Sequence, residues 1–106
     1  MNVYLISFTS KTNTVSRVDL QVYFDTRAEV LNWFGIMPNA ILVVTHSPAS
    51  VLTNMLVDRF GNNITFLVTK AESNETEGFI NKEVWDFINN PKSSGRSGHQ
   101  GLLGGN

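Results

Sequence analysis

Between Ala40 and Val68 the hydrophobic period changes twice, and that change constrains the fold more than any other feature of the chain. Ala40 to Val44 are apolar without interruption, the mark of a strand covered on both faces and so central in its sheet. Thr45, His46, Ser47 and Pro48 break the run. Ser followed by Pro is a helix start, with Ser47 as N-cap and Pro48 at the first helical position. Val51, Leu52, Met55, Leu56 and Phe60 then recur at helical spacing, and Gly61 ends the helix. Ile64, Phe66 and Val68 form a second strand, with Thr65 and Thr69 facing the other way. If both strands run in one direction, their carboxyl ends share an edge of the sheet. The loops 45–50 and 69–78 then lie near each other, at the edge where α/β sheets favour ligands.

The flanking segments complete the reading. Val3 to Phe8 reads as a strand. Val18, Leu20, Val22 and Phe24 alternate with Asp19, Gln21 and Tyr23, which predicts a half-buried strand paired antiparallel with the first. Thr26 and Glu29 match a capping box, and Val30, Leu31 and Phe34 share one helical face that Gly35 would terminate. A last helix takes its apolar face from Phe79, Ile80, Val84, Phe87 and Ile88. The expected fold class is α/β, a single domain. Its mixed sheet has about four to five strands, an N-terminal antiparallel pair and then strand-helix-strand, flanked by about three helices.

The chain's 106 residues suit one domain, placed here at 1–91. Residues 92–106 are rich in Gly and Ser and have little to bury, so they are expected to form a disordered tail. A net charge of −1 offers no bulk attraction to duplex DNA or to a membrane. No apolar run is long enough to cross a bilayer, and MNVYLISF lacks the basic segment of a signal peptide. Without cysteine there is neither a disulfide nor a thiolate nucleophile or ligand. A cytoplasmic protein is the expectation.

Three groups of residues could carry chemistry. Histidine is the usual general acid or base, and His46 precedes a helix whose first amides lack internal partners, so it could act as a general acid beside a bound anion. Ser47 and Ser50 could add hydrogen bonds. On local pattern alone the plainer reading leads: a loop histidine, with Ser47 as an ordinary cap. The loop holding Glu72, Glu75 and Glu77 offers carboxylates that could orient a histidine, or simply a solvated acidic turn. Its spacing fits no established metal site, and neither a metal nor any other cofactor is expected. Thr9, Ser10, Lys11 and Asn13 follow the first strand with hydroxyls, a cation and an amide, which suit phosphate or ribose and equally an exposed turn. Arg17, Arg27 and Arg59 are candidate phosphate partners, more commonly surface charges. Trp33 and Trp85 could stack a base, though packing is the commoner use of Trp.

Taken in order, these pieces resemble the small viral ring nucleases of type III anti-CRISPR systems, whose domain also occurs in cellular proteins. That family opens on a strand similar to VYLANAFS, where this chain has Val3-Tyr4-Leu5-Ile6-Ser7-Phe8-Thr9-Ser10. A family segment similar to IGHxxTxxxxxxxLG corresponds to Thr45-His46-Ser47-Pro48-Ala49-Ser50-Val51, followed by Leu56 and Gly61. A loop of the RLEEG kind corresponds to Asn74-Glu75-Thr76-Glu77-Gly78. The resemblance spans residues 3–88 and carries its weight in order and spacing, each motif being common by itself. The chain departs from the pattern at Thr45, where the family has glycine, and at Asn74, where it has arginine. A second family arginine has no counterpart near Asn63.

The resemblance implies a symmetric homodimer that binds cyclic tetra-adenylate at its interface and opens the ring without a metal, removing the messenger of type III CRISPR immunity. It carries His46 to the catalytic histidine, Glu77 to the assisting glutamate and Ser10 to the substrate-contacting serine. Two alternatives stand beside it: a cyclic-nucleotide sponge without turnover, and a protein-interaction inhibitor of host defence.

Overall fold

In the computed structural model, which describes residues 1–94, seven main elements follow one another. They are β1 (Asn2–Ser10), α1 (Arg17–Phe24), β2 (Asn32–Met37), β3 (Ala40–Thr45), α2 (Ala49–Phe60), β4 (Ile64–Lys70) and α3 (Lys82–Asn89). The strands form one sheet in the order β2-β3-β1-β4, each pair antiparallel. This is the split βαβ arrangement. β3 and β4 both oppose β1, so they run the same way on either side of it. Their carboxyl ends therefore share an edge, as the strand-helix-strand unit predicts, with the start of β1 between them.

The α/β class, the four strands and the three helices agree with the sequence reading. β3 is indeed central, and every one of its residues is buried. Two neighbouring segments exchange roles. Residues 17–24, read as a strand, form α1, and the sheet has no N-terminal hairpin. Leu20 and Phe24, one helical turn apart, are fully buried, while Val18 and Val22 stay 56% and 61% exposed. A start signal for this helix lies at its first turn. The Asp19 carboxylate accepts from the Ser16 amide at 2.8 Å and from the Ser16 hydroxyl at 3.2 Å, closing the helix start.

The segment read as a capped helix instead forms the strand β2. The Thr26 hydroxyl donates to the Tyr23 carbonyl at 2.6 Å, so it closes α1 and does not start a new helix. Glu29 turns to Arg27, at 3.0 Å. Trp33, Phe34 and Ile36 are β-formers, and β3 needs a partner on that side. The last helix starts later than its apolar pattern implies. Phe79 lies ahead of it, 104% exposed, while Val84 and Ile88 are buried.

The sheet has a core on each face. Tyr4, Ile6 and Phe8 of β1 and Ile41 and Val43 of β3 pack against Leu20 and Phe24 of α1 and against Leu52, Met55, Leu56 and Phe60 of α2. Tyr23 joins the two helices: its ring meets Phe60 edge-on at 5.8 Å and its hydroxyl donates to the Met55 carbonyl at 3.2 Å. On the other face, Val3, Leu42 and Val44 pack against Val84 and Ile88 of α3. Gly61, at φ 55°, ends α2 in the left-handed region where glycine carries no Cβ penalty.

Gly35 serves a different purpose. A Cβ there would lie 2.6 Å from Arg17 Nε and 2.8 Å from Gln21 Oε1. The bare backbone lets the Arg17 guanidinium cross β2 and donate to the Met37 carbonyl at 2.7 Å. Gly35→Ala is expected to cost about 1 kcal/mol by dislodging that donor. In an Arg17→Ala background, where only the flexible end of Gln21 must give way, the same change is expected to cost less. A double-mutant cycle from urea denaturation measures the difference.

Candidate functional site

At the end of β3 the chain makes the turn that holds His46. Thr45 is fully buried, and its hydroxyl oxygen accepts the Ser47 amide at 2.9 Å. This short loop bridges His46 and sets its side chain out to solvent. Pro48 then has extended backbone, and α2 begins at Ala49, one residue later than the Ser-Pro signal indicates. Ser50 is exposed in the first turn, and Ser47 is half-buried. Thr45→Val removes the acceptor without changing the size of the side chain. It is expected to lower stability by about 1 kcal/mol in urea denaturation, with Thr45→Ser restoring most of it.

Across the start of β1 lies the second loop. The Ala71 amide donates to the Val3 carbonyl at 2.8 Å, extending the β1–β4 ladder to the edge of the sheet. A short 3-10 turn, Ser73–Glu75, follows, and the Thr76 hydroxyl donates to the Glu72 carbonyl at 2.6 Å. Glu77 comes next, exposed. The ends of β3 and β4 are two strand spacings apart, about 10 Å. His46 and the loop that leads to Glu77 thus leave the same edge of the sheet, and no hydrogen bond among the described residues joins His46 to Glu77. A cavity of about 300 Å³ at this edge is lined by Asn2, Lys70, Glu72, Asn74 and Asn89, among others, and not by His46 or Glu77.

The remaining candidates lie at the other edge. β1 opposes β3, so its end is far from the end of β3: Asn2 pairs with Thr45, but Ser10 pairs with Ile64. At about 3.3 Å per residue the two ends of β1 stand about 26 Å apart. Thr9, Ser10, Lys11 and Asn13 therefore do not meet His46, Ser47, Ser50 or Glu77 within one chain. Ser10 has a local role, since its hydroxyl oxygen accepts the amides of Thr14 at 2.9 Å and Val15 at 3.0 Å. Asn13 sits at φ 55°, which short polar side chains tolerate, and the Lys11 amide donates to the Asn63 carbonyl at 2.9 Å. These bonds make a tight polar turn.

The three candidate arginines are occupied inside the chain. Arg17 is held over β2. Arg27 pairs with Glu29 and lies 6.0 Å from the Tyr23 ring, and Arg59 lies 4.9 Å from the Phe60 ring. The hydrogen bond from Arg27 holds the Glu29 carboxyl below the usual carboxylate range. Arg27 lies on the connection from α1 to the start of β2, with its guanidinium beside the Tyr23 ring that packs on Phe60 of α2. Sequence reading missed that placement, because it depends on residues 17–24 being a helix. Trp33 donates from Nε1 to Asp25 at 2.8 Å and packs on the first core, and Trp85 packs on the second. Among the described residues, no three His, Asp or Glu side chains gather as a metal site, and no helix is long and apolar enough to cross a membrane.

No protein-family model, curated protein or solved structure matches the chain.

Proposed function

We propose that this protein binds a cyclic oligoadenylate, with cyclic tetra-adenylate the first candidate, and opens its ring by metal-independent transesterification. The supporting observation is the position of His46: solvent-facing, beyond a fully buried strand, one turn ahead of the α2 amides that lack helical partners. The ordered resemblance to viral ring nucleases supplies the ligand class. In the reaction a ribose 2′-oxygen attacks its adjacent phosphorus, giving up its proton, and the bond from phosphorus to the 5′-oxygen breaks. His46 as imidazolium protonates the leaving 5′-oxygen, and Glu77 accepts a proton or orients His46. The α2 amides and Ser47 stabilise phosphate charge, with Ser50 alongside. The products are linear oligoadenylates ending in 2′,3′-cyclic phosphate. Acting in the cytoplasm as a symmetric homodimer, the protein would thereby silence type III CRISPR signalling.

A sponge that binds without turnover is the second reading. It is favoured by the absence of a hydrogen bond between His46 and Glu77 and by the local role of the Ser10 hydroxyl. Titration calorimetry with cyclic oligoadenylates of several ring sizes, paired with mass spectrometry of single-turnover products, separates the two. Binding with cleavage supports the enzyme, and binding alone supports the sponge. If no cyclic oligoadenylate binds, both fall, and a protein-interaction role replaces them.

A further inference from the structure

The sheet treats its two outer edges differently. Along β2 the edge is broken by the irregular register between Gly35 and Met37, followed by Pro38. Arg17 occupies the Met37 carbonyl, the Ser94 amide donates to the Leu31 carbonyl, and the Asn32 side chain reaches the Lys92 carbonyl. These devices stop a sheet from recruiting another strand. β4 has none of them. Its register with β1 is regular from Lys70 back to Ile64, it contains no proline, and its only charge is at its last residue.

Hydrogen-bond parity shows what this edge presents. The Ala71 amide bonds to Val3 and the Lys11 amide is bonded to Asn63, which fixes the alternation of the β1–β4 ladder. Thr65, Leu67 and Thr69 direct their amides and carbonyls to β1. Ile64, Phe66, Val68 and Lys70 direct theirs away from the sheet. The side chains add a second pattern. α3 covers only the part of its face over β2, β3 and the start of β1. Ser7, Thr9, Thr65, Leu67 and Thr69 remain open on that face, with Leu67 66% exposed at the centre of β4.

We infer that β4 is the interface for a second copy of this chain, which pairs antiparallel to it about a twofold axis at Leu67. The strand is self-complementary in that register. Phe66 meets Val68 and Ile64 meets Lys70 as hydrogen-bonded pairs, so every outward amide and carbonyl of β4 finds a partner. Leu67 meets its own copy as a non-hydrogen-bonded pair, where side chains approach most closely, flanked on both sides by Thr65–Thr69 pairs. A twofold contact of this kind closes on itself and leaves no further free edge at β4.

The axis also reverses the second sheet end for end. The edge carrying His46 and the loop after Lys70 then continues into the second copy's Ser10 and Lys11, two strand spacings or about 10 Å beyond β4. Groups at opposite ends of the sheet within one chain then share one edge of the pair, with His46 and the second copy's Ser10 four strand spacings, or about 19 Å, apart. The interface does not rest on the cyclic-nucleotide reading; only its use as a shared site does.

Cysteine cross-linking tests the register directly, because the chain has no cysteine of its own. Leu67→Cys places two thiols at a pair whose Cα atoms are about 4.5 Å apart, within disulfide reach. Mild oxidation is expected to give a covalent dimer at least about tenfold faster than for Val22→Cys or Val57→Cys, which are similarly exposed on helices. Leu67→Lys, judged folded by circular dichroism, is expected to sediment as a monomer where the native chain sediments as a dimer. A monomeric native chain at micromolar concentrations, or equal cross-linking at all three positions, overturns the interface. A β4 dimer that binds no cyclic oligoadenylate keeps the interface and ends the nucleotide reading. Native cleavage by the Leu67→Lys monomer keeps the nucleotide reading and ends the shared site.

Discussion

Replacing His46 with alanine is expected to slow ring opening by about 10²–10⁴-fold, the usual contribution of a general acid. The fold and the affinity for the ring should survive. His46 is exposed and makes no hydrogen bond within the described residues, so its truncation removes nothing from the core. A surface change of this kind stays within about 0.5 kcal/mol. Single-turnover cleavage gives the rate, calorimetry the affinity and a urea melt the stability. His46→Gln, which can donate a hydrogen bond but not a proton, should be as slow as the alanine variant. A rate that does not respond to either change removes His46 from the chemistry.

The largest effect on stability is expected at Phe24. This side chain is fully buried beneath the sheet, 6.1 Å from the Tyr23 ring, among Leu20, Leu56 and the rest of the first core. Phe24→Ala leaves a cavity that close-packed neighbours fill only in part, at a cost of about 3–5 kcal/mol. Against a total of about 5–15 kcal/mol for a typical domain, that change alone brings the chain near unfolding. Val22→Ala, two residues away, should cost less than about 0.5 kcal/mol. The contrast also tests the secondary structure. A strand would bury Val22 and Phe24 on one face and make the two substitutions comparable, whereas a helix separates them. Urea midpoints decide the matter.

The elements that were legible in the sequence share one property: each is specified more than once. β3 is an unbroken apolar run with turn signals at both ends. α2 is three turns long, with a start signal, a buried stripe and Gly61 at φ 55° to end it. Over residues 17–37 the cues are short and conflicting. Val18 to Phe24 alternate, yet Leu20 and Phe24 are also a helical pair. Thr26 and Glu29 imitate a capping box, while the Thr26 hydroxyl actually bonds backward to Tyr23. Over so few residues neither period wins alone, and packing against β3 settles both segments.

The same division holds for the candidate site. The sequence by itself determined that His46 stands where a buried strand gives way to a helix, and that an acidic loop follows the next strand. Only the tertiary structure decided which candidates share an edge. Chain direction is a property of pairing, and side-chain pattern does not encode it. Since β1 runs against both β3 and β4, Ser10 and Lys11 stand at the far end of the sheet from His46 and from the start of the loop that leads to Glu77. A strand's apolar pattern is the same read in either direction, but its two ends are not in the same place.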